Sequence, residues 1–490
     1  MNSNLLRAKV NKPHRIFNRD ELYDIHLATM SVLEDTGVQF LDTTVLDFLE
    51  RYGATVDKKR RIARFRQYLV EDLIKKAPRT VTLHARNPKY DLRLEPGTVY
   101  PQVGGECPLV FDLQTNEVRK ATLRDLNDLV RLVDGLDFYT NCCLVNPTDV
   151  PPSSLSPHCT ESLLNNTEKH CFYGITAESG YEGFLDSIGM VAKVVGGTDE
   201  LRKRHIASSA AFATSPLQYT PRSTMAIRQS AEHNIPINVG TNPMAGATSP
   251  ISLVGTLIQQ NAEILAGVIL AQLYNPGNPV IYDGFAGIMD MKSATLSMGS
   301  PEQALLSAGT AQIASRYGLP SVFQACIGDS KTWDPQMGYE KVLSAYMTAL
   351  AGGNLPMGSG HHDNALIMCY KTLVLDNEIW NVVLRAIRGI NTDDEAFAIN
   401  VIHDVGPGGN YLAHQHTSRN LRREQYIPQL TDRTTRDTWK RKGAKSILDR
   451  AREKALDILA SHHPEPLEKD IQENLRQTVA RAERRLEMHA

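Results

Sequence analysis

The chain has 490 residues, which is enough for one barrel with extensions or for more than one domain. Its 53 basic and 55 acidic residues give a formal net charge of -2, and this balance argues against nucleic acid as a partner, because phosphate binding usually requires a basic excess. The seven cysteines lack a CxxC spacing, so we expect reduced, mostly buried thiols rather than a disulfide framework or a zinc cluster.

The N-terminus lacks the apolar core of a signal peptide. The most apolar long run, residues 251–273, contains Gln259, Gln260, Asn261 and Glu263, which would be costly in lipid. We therefore expect a cytoplasmic protein without a membrane span, in which this run is a buried helix.

Residues 1–135 are predicted to form an N-terminal α+β extension. Apolar periodicity indicates helices at 20–37 and 43–52, and Thr122 is placed to cap a third helix at 122–133. Between the second and third helices, short β-like segments alternate with glycine turns; these segments are 81–84, 92–94, 99–103 and 109–112.

Residues 136–433 show strict alternation of strand-like and helix-like segments. Strands are predicted to begin near eight positions: Tyr139, His170, Ile206, Pro236, Pro279, Pro320, Leu355 and Ala398. The helices between them are predicted at 161–168, 180–195, 223–233, 252–274, 301–317, 336–352 and 371–390. Eight such units favour an α/β fold of the TIM (β/α)₈ barrel type over a doubly wound sheet. Residues 434–490 are charged and are predicted to form two C-terminal helices that pack on a barrel or on a neighbouring subunit.

The segment 318–340 joins a short buried strand to a helix through a polar loop. The loop and the first turns of the helix carry the four candidate catalytic residues, Asp329, Asp334, Gln336 and Glu340. Polar groups after a barrel strand lie at the carboxyl end of the strands, where barrel enzymes hold their active sites. Gln336 and Glu340 are one helical turn apart and can therefore share a face. Glu340 can either contact the substrate directly or simply cap or brace the loop.

Aromatic residues follow several predicted strands. Asp283 and Gly284 end one predicted strand, and Phe285 follows them. Asp283 and Phe285 are candidate substrate-binding residues, and Tyr173, Phe212 and Trp333 are expected near the same end of the barrel. Several aromatic rings around a pocket can hold a quaternary ammonium group by cation–π attraction. Each ring taken alone is more simply explained as a core residue.

Two histidine-rich loops come late in the chain. In the first, 358–363, His361 or His362 can contact a substrate carboxylate, and a purely structural role is the alternative. In the second, 401–417, three glycines lack the spacing of a nucleotide loop, so His403, His414 and His416 are expected to shape the mouth or a contact surface. Neither loop has the ligand spacing of a metal site.

Taken together, the motifs resemble the trimethylamine methyltransferase family in its branch without pyrrolysine. The matching stretches cover residues from about 20 to 433: Gly246-Ala-Thr-Ser-Pro250, Met289-Asp-Met291, Gly299-Ser-Pro-Glu302, Asp329-Ser-Lys331, Asp334-Pro-Gln-Met-Gly-Tyr-Glu340, Leu375-Asp-Asn-Glu378 and Val405-Gly-Pro-Gly-Gly409. The resemblance implies a TIM barrel that moves a methyl group from a methylated amine to the Co(I) corrinoid of a partner protein.

Members of this family with pyrrolysine carry it in the region that corresponds to 325–329, where this chain has Cys326, Ile327 and Gly328. This departure puts trimethylamine in doubt and favours a quaternary amine such as glycine betaine. The resemblance then implies a cation-facing wall of Phe285, Trp333, Asp329 and Asp334, no tightly bound cofactor, and a corrinoid that the partner carries. We also expect a homo-oligomer.

Three alternatives stay open from the sequence. The same reaction can use another donor, such as proline betaine, carnitine, γ-butyrobetaine, choline or trimethylamine. The chain can instead be a non-catalytic protein that binds a quaternary amine. It can also be an unrelated barrel lyase or hydrolase, which would show a metal or a carboxylate pair at the barrel mouth.

Overall fold

The computed structural model describes residues 6–10 and 13–487 and contains an eight-stranded parallel barrel. Its strands are β1 (Gln102–Val103), β2 (Thr140–Asn141), β3 (His170–Ile175), β4 (Ala207–Ala213), β5 (Ile237–Thr241), β6 (Val280–Gly284), β7 (Ser321–Gln324) and β8 (Leu355–Ser359). The hydrogen-bonded order runs from β2 to β8 and ends with β1. Just beyond β1 and β2 the ring closes, since the amide of Glu106 donates to the carbonyl of Cys143 at 2.7 Å. The predicted TIM barrel is confirmed.

A helix follows each strand and covers the outside of the barrel. These helices are α1 (Leu123–Asp134), α2 (Leu155–Asn166), α3 (Gly180–Val195), α4 (Pro221–Glu232), α5 (Leu253–Tyr274), α6 (Pro301–Tyr317), α7 (Pro335–Ala351) and α8 (Tyr370–Ile387). Thr122 caps α1 as predicted, within a reciprocal capping box with Asp125. Gly196 and Gly318 end α3 and α6 in the left-handed conformation that glycine adopts without strain.

Helix α5 is long and apolar enough to cross a membrane by length and composition alone, yet it is a buried helix of the barrel. Its polar residues have partners inside the protein. Gln260 donates to the hydroxyl of Thr310 at 2.8 Å, and Glu263 accepts from the amide of Leu217 at 2.8 Å. These contacts satisfy groups that lipid could not, because buried polar groups require hydrogen-bond partners.

The eighth barrel strand is not the one predicted near Ala398. That region forms two short helices, Asp394–Phe397 and Ile399–Val405, and the missing strand is β1, within the segment assigned to the N-terminal extension. A two-residue strand is too short to show periodicity, whereas an apolar run such as 396–402 fits a strand or a helix equally well. The division of the chain at residues 135 and 433 stays a prediction.

Short elements surround the barrel. Before α1, the chain forms the helices Arg19–Ser31, Val32–Thr36, Thr43–Arg51, Gln67–Ile74 and the turn Pro88–Tyr90, and the strands Ala8–Lys9, Val38–Phe40, Thr55–Asp57, Ile62–Arg64, Val81–Leu83, Leu92–Leu94, Thr98–Val99, Leu109–Phe111 and Val118–Lys120. Between the barrel units lie the turn Pro152–Ser154, the helix Thr198–Leu201 and the strands Gln218–Tyr219, Met244–Ala245, Gly287–Asp290, Thr295–Ser297, His361–His362 and Ile367–Cys369.

The C-terminal region is helical, as predicted, and it packs on the barrel of its own chain. Its helices are Gln415–Glu424, Arg436–Arg441, Ile447–Ser461 and Lys469–Glu487. Ala451, Ala455 and Ile458 are buried where Ile447–Ser461 meets α1 and α8. Arg481 and Arg485 of the last helix pair with the carboxylate of Asp186 on α3, at 3.0 and 2.8 Å.

Candidate active site

A cavity of about 690 Å³ opens at the carboxyl ends of the barrel strands. Every strand contributes lining residues from its carboxyl end or from the loop that follows, among them Gly105, Glu106, Cys142, Cys143, Tyr173, Glu178, Phe212, Asn242, Phe285, Gln324, Ile327, Met357 and His361. This volume suits a small-molecule ligand. The position agrees with the expectation for a barrel enzyme.

Three of the predicted aromatic residues meet in this cavity. The rings of Phe212 and Phe285 are stacked, with 6.0 Å between their centroids and 24° between their planes. Tyr173 lies edge-on to Phe212, with a centroid distance of 6.3 Å. These three rings, here called the aromatic cage, present faces and edges to the same space and can hold a cationic group.

Irregular backbone aims Tyr173 into the cavity. The pairing of β3 with β4 shifts register between Cys171 and Ile175, and Tyr173 has a φ of +52°. Bulges next to active sites commonly redirect a side chain in this way. The hydroxyl of Tyr173 donates to the carboxylate of Asp283 on β6, across the barrel interior.

Asp283 is fully buried and does not itself line the cavity. Burial raises its pKa to about 7, although the hydrogen bond from Tyr173 opposes that rise. Burial and the nearby Asp283 carboxyl raise the pKa of the Tyr173 hydroxyl well above its ordinary value. The Tyr173 hydroxyl therefore keeps its proton at neutral pH and donates a hydrogen bond to Asp283.

Glu106 follows the glycine pair that ends β1, and its side chain is exposed to the cavity. Desolvation by the surrounding protein raises the pKa of Glu106 to about 7, with a smaller contribution from the carboxylate of Glu178.

A pair of opposite charges stands at the mouth. The guanidinium of Arg222, at the start of α4, lies 2.9 Å from the carboxylate of Glu178, which follows β3. Both side chains remain about half exposed, at 56% and 48%. An exposed ion pair of this kind is weak and can exchange partners with a ligand.

Of the two candidate histidines, only His361 reaches the cavity. Neither of its ring nitrogens has a partner within the described residues. His362 turns away and shares a hydrogen bond with the hydroxyl of Thr372 at 2.6 Å. Burial, with a contribution from Lys341, lowers the pKa of both rings to about 3, so both are neutral at physiological pH. His361 can then donate one hydrogen bond to a ligand.

The four predicted catalytic residues come together, but none of them lines the cavity. Asp329 accepts hydrogen bonds from the amides of Met298 and Gly299, at 2.6 and 2.9 Å. Glu340 accepts from the amide of Asp329 at 2.8 Å and from the side chain of Gln336 at 2.8 Å.

Asp334 is the N-cap of α7 and accepts from the amide of Met337 at 3.1 Å. These local contacts describe a brace that ties the loop after β7 to the hairpin of Met298, which does line the cavity. The expected carboxylate wall of Asp329 and Asp334 toward a cation is therefore corrected: their oxygens point at backbone amides. Their catalytic assignment stays a prediction.

Trp333 also lies outside the cavity, which corrects its expected place in the cation-facing wall. Its indole nitrogen donates to Thr372 at 3.0 Å, and its ring packs on Phe111 at a centroid distance of 4.7 Å. The ammonium of Lys371 sits 3.7 Å from the ring centroid. The face of Trp333 thus already holds a cation of the chain itself.

Sequence reasoning missed Glu106, Glu178 and Arg222. The signal for Glu106 was the Gly104-Gly105 pair after an apolar segment, which we interpreted only as a turn. Glu178 and Arg222 each follow a correctly predicted strand. Because residues that follow barrel strands lie at the active-site end, the predicted fold was the signal that could have placed them at the mouth. His403, His414 and His416 do not line the cavity.

Within residues 6–10 and 13–487, no cluster of three or more histidine, cysteine or acidic side chains has the arrangement of a metal site. All seven cysteines are free and buried, as expected. Cys142 and Cys143 line the cavity, and the sulfur of Cys143 lies 3.1 Å from that of Cys159.

The model of the family described as trimethylamine methyltransferase matches residues 2–487. A trimethylamine methyltransferase of Desulfitobacterium hafniense is 39% identical over 468 residues, which cover 95% of this chain and 94% of that protein. A glycine betaine methyltransferase of the same species is 35% identical and covers 95% of this chain and 97% of that protein. A trimethylamine methyltransferase of Methanosarcina barkeri is 32% identical, with coverage of 96% and 95%.

Among solved structures, the monomethylamine methyltransferase of Methanosarcina barkeri superposes with a TM-score of 0.52. The match covers 90% of this chain and 88% of that chain at 14% sequence identity. A second structure of that enzyme, in complex with hydroxylamine, gives a TM-score of 0.53. At this identity the likeness supports the barrel fold alone.

Proposed function

Because the chain belongs to the trimethylamine methyltransferase family, we propose that it transfers a methyl group from a quaternary amine to the Co(I) corrinoid of a partner protein. Glycine betaine is the favoured donor. The observation that carries this proposal is the aromatic cage of Tyr173, Phe212 and Phe285 inside the cavity. Such a cage suits a trimethylammonium group, which offers methyl groups and positive charge but no hydrogen-bond donor.

The methyl transfer requires no general acid or general base from the protein. The cobalt nucleophile attacks one methyl carbon, the C–N bond breaks, and its electron pair stays on nitrogen. The products are methyl-Co(III) and a neutral tertiary amine, which is dimethylglycine when glycine betaine is the donor. Because no proton must move in this step, holding the methyl group in line with the acceptor supplies much of the rate.

Ile327 supports a quaternary donor. It lines the cavity in the segment where, by family resemblance, other members carry pyrrolysine, and it offers only an apolar surface. A donor whose nitrogen already bears four carbons needs no covalent or polar contact to become a leaving group. The relative named as a glycine betaine methyltransferase supports the same choice.

The carboxylate of glycine betaine can be bound at the mouth or beside His361. Arg222 offers a half-exposed guanidinium, and a carboxylate ligand could replace Glu178 as its partner. His361 offers one N–H from a neutral ring. We place the ammonium group in the aromatic cage and the carboxylate toward Arg222.

We propose a cytoplasmic enzyme with no tightly bound cofactor, whose corrinoid acceptor arrives on the partner protein at the open mouth of the barrel. We also propose a homo-oligomer, supported by the exposed side chains of Tyr339, Val342 and Tyr346 on the outer face of α7. Analytical ultracentrifugation tests that expectation, and a monomer at micromolar concentration contradicts it.

The decisive experiment mixes the purified protein with a Co(I) corrinoid protein and one methylated amine at a time. Visible spectroscopy should show conversion of Co(I) to methyl-Co(III) with glycine betaine, and mass spectrometry should identify dimethylglycine. Conversion with proline betaine, carnitine, γ-butyrobetaine, choline or trimethylamine instead would replace the donor and keep the reaction. The relative at 39% identity makes trimethylamine a necessary member of this panel.

The alternative from another class is a protein that binds a quaternary amine without reacting. It predicts affinity by calorimetry together with an unchanged cobalt spectrum for every donor and corrinoid partner. Loss of conversion after substitution of the aromatic cage, with wild-type conversion intact, would exclude it.

A further inference from the structure

Three acidic side chains at or behind the cavity wall differ in their pairing. Glu178 pairs with Arg222, and Asp283 accepts from Tyr173. In the described part of the chain, the carboxylate of Glu106 has no hydrogen-bond or ion-pair partner, although it lines the same cavity. Its charge is therefore open to the cavity and free to pair with a ligand, and a cationic ligand would supply the missing partner.

The backbone holds this carboxylate in a strained conformation. Glu106 has a φ of +63°, in the left-handed region that a residue with a side chain adopts at a cost of about 1 kcal/mol or more. Its amide is fixed by the 2.7 Å hydrogen bond to the carbonyl of Cys143. At Gly105, an added Cβ would come within 2.9 Å of that same carbonyl. The turn therefore depends on a glycine and directs Glu106 into the cavity.

We propose that the Glu106 carboxylate is the counter-ion of the donor's positively charged nitrogen and makes the cavity select a cationic ligand over a neutral one of the same shape. This inference rests on the proposed function and assigns a specificity-determining residue to it. The aromatic cage accepts any bulky apolar head group, charged or not. A carboxylate on the cavity wall distinguishes the two, because opposite unit charges attract each other, and the attraction grows as the ligand displaces water from between them.

Binding is then coupled to a proton. With its pKa raised to about 7 by loss of solvent, Glu106 is partly protonated in the free protein and must ionise to face a cation. Ligand binding near neutral pH should release protons when the head group of the ligand is a quaternary ammonium and not when it is an uncharged tert-butyl group. The other titratable or charged groups around this cavity are Glu178, Arg222, Cys142, Cys143, Tyr173 with Asp283, and His361.

The test compares glycine betaine with 3,3-dimethylbutanoate, in which a carbon replaces the charged nitrogen. Isothermal titration calorimetry on the full chain, without corrinoid, measures both affinities for the wild type, Glu106→Gln and Glu106→Asp. Choline with 3,3-dimethylbutanol is a second pair if choline is the donor. We expect the wild type to prefer the ligand with the ammonium head group by on the order of ten- to a hundredfold. Glu106→Gln should reduce that ratio to near one, and Glu106→Asp should retain most of it.

A structural role for Glu106 would lower both affinities together and leave the ratio unchanged, and that result overturns the inference while the proposed function stands. Proton release by the wild type, measured in buffers of different ionisation enthalpy, gives a second readout that needs no variant. Equal proton release with both ligands also overturns the inference. If the wild type binds no quaternary amine at all, the proposed function fails first.

Discussion

Gly240 on β5 lies against the ring of Phe212 on β4, and the aromatic cage depends on the absence of a side chain at residue 240. A Cβ built on Gly240 would lie 2.5 Å from the Cε1 atom of Phe212. Gly240→Ala should therefore push the Phe212 ring out of its stack with Phe285. We expect a loss of about 1–3 kcal/mol in the free energy of unfolding and a higher KM for the donor.

The matched control for that substitution is Gly189→Ala on α3. A Cβ at Gly189 meets nothing within 4 Å. Alanine has a higher helix propensity than glycine in the middle of a helix, so the variant should be as stable as the wild type or slightly more stable. Thermal unfolding and donor kinetics measure both variants. Equal behaviour of the two would show that Phe212 tolerates the extra carbon.

The aromatic cage should account for donor affinity. Phe285→Leu keeps an apolar side chain and removes a ring face, so affinity for a quaternary donor should fall by about ten- to thirtyfold, in line with a desolvated cation–π contact of about 2 kcal/mol. Trp333→Phe is the aromatic control, since that ring lies outside the cavity and faces Lys371. A larger loss of donor affinity with Trp333→Phe than with Phe285→Leu would show that Trp333 contacts the donor and that the aromatic cage does not account for its binding.

The sequence supports the fold better than the site, and the reason is physical. Helices α3 and α6 agree with their predicted bounds because each has a sustained apolar face and ends at a glycine cap. Strand β1 lies within the predicted β segment 99–103, but two residues carry no period that marks a barrel strand, so the segment was assigned to the N-terminal extension. The direction of a side chain after a strand depends on register and bulges, which no local pattern encodes.

That limit explains the uneven outcome for the site residues. Tyr173 enters the cavity only because of a positive φ in the middle of β3, whereas Trp333 leaves it because Thr372 and Lys371 hold its ring elsewhere. Glu106 was overlooked because the β segment before it was assigned to the N-terminal extension and not to the barrel. The polar loop after β7 was correctly placed at the active end of the barrel, but its carboxylates bind backbone amides instead of facing open space.

Asp334→Ala separates a bracing role from a catalytic one. Asp334 caps α7 and also accepts from the hydroxyl of Ser330 at 3.0 Å, so its loss should cost about 1–2 kcal/mol in the free energy of unfolding. Because its oxygens do not reach the cavity, KM and kcat should change by less than about threefold at a temperature well below unfolding. Chemical denaturation and steady-state rates measure the two effects. A large fall in kcat at wild-type stability would make Asp334 catalytic, as the sequence predicted.

Stability should respond to pH through Asp283. Its folded pKa of about 7 lies above its unfolded value, so its contribution is fully present below about pH 4 and is lost as pH rises through about 7. Asp283→Asn keeps an acceptor for Tyr173 but cannot ionise. Between about pH 5 and pH 8, the variant should therefore gain up to about 3 kcal/mol relative to the wild type. Glu106 titrates in both proteins and cancels in the difference. A constant difference across this range, measured by urea unfolding, would mean that Asp283 is already ionised in the native protein.

Arg222 should decide whether the donor carries a carboxylate. Its guanidinium is half exposed and held by a single weak ion pair to Glu178, so a ligand carboxylate can take that place at little cost. Arg222→Gln should raise KM for glycine betaine by about tenfold, because charge-assisted hydrogen bonds to a carboxylate are worth roughly 1.5–3 kcal/mol. The same variant should leave KM for choline within about twofold, since choline has no carboxylate to form a charge-assisted hydrogen bond with the guanidinium. Glu178→Gln is the matched control: it frees Arg222 and should lower KM for glycine betaine. If both variants leave glycine betaine unaffected, the donor carboxylate lies elsewhere, and His361, with its two unpartnered ring nitrogens, becomes the group to substitute next.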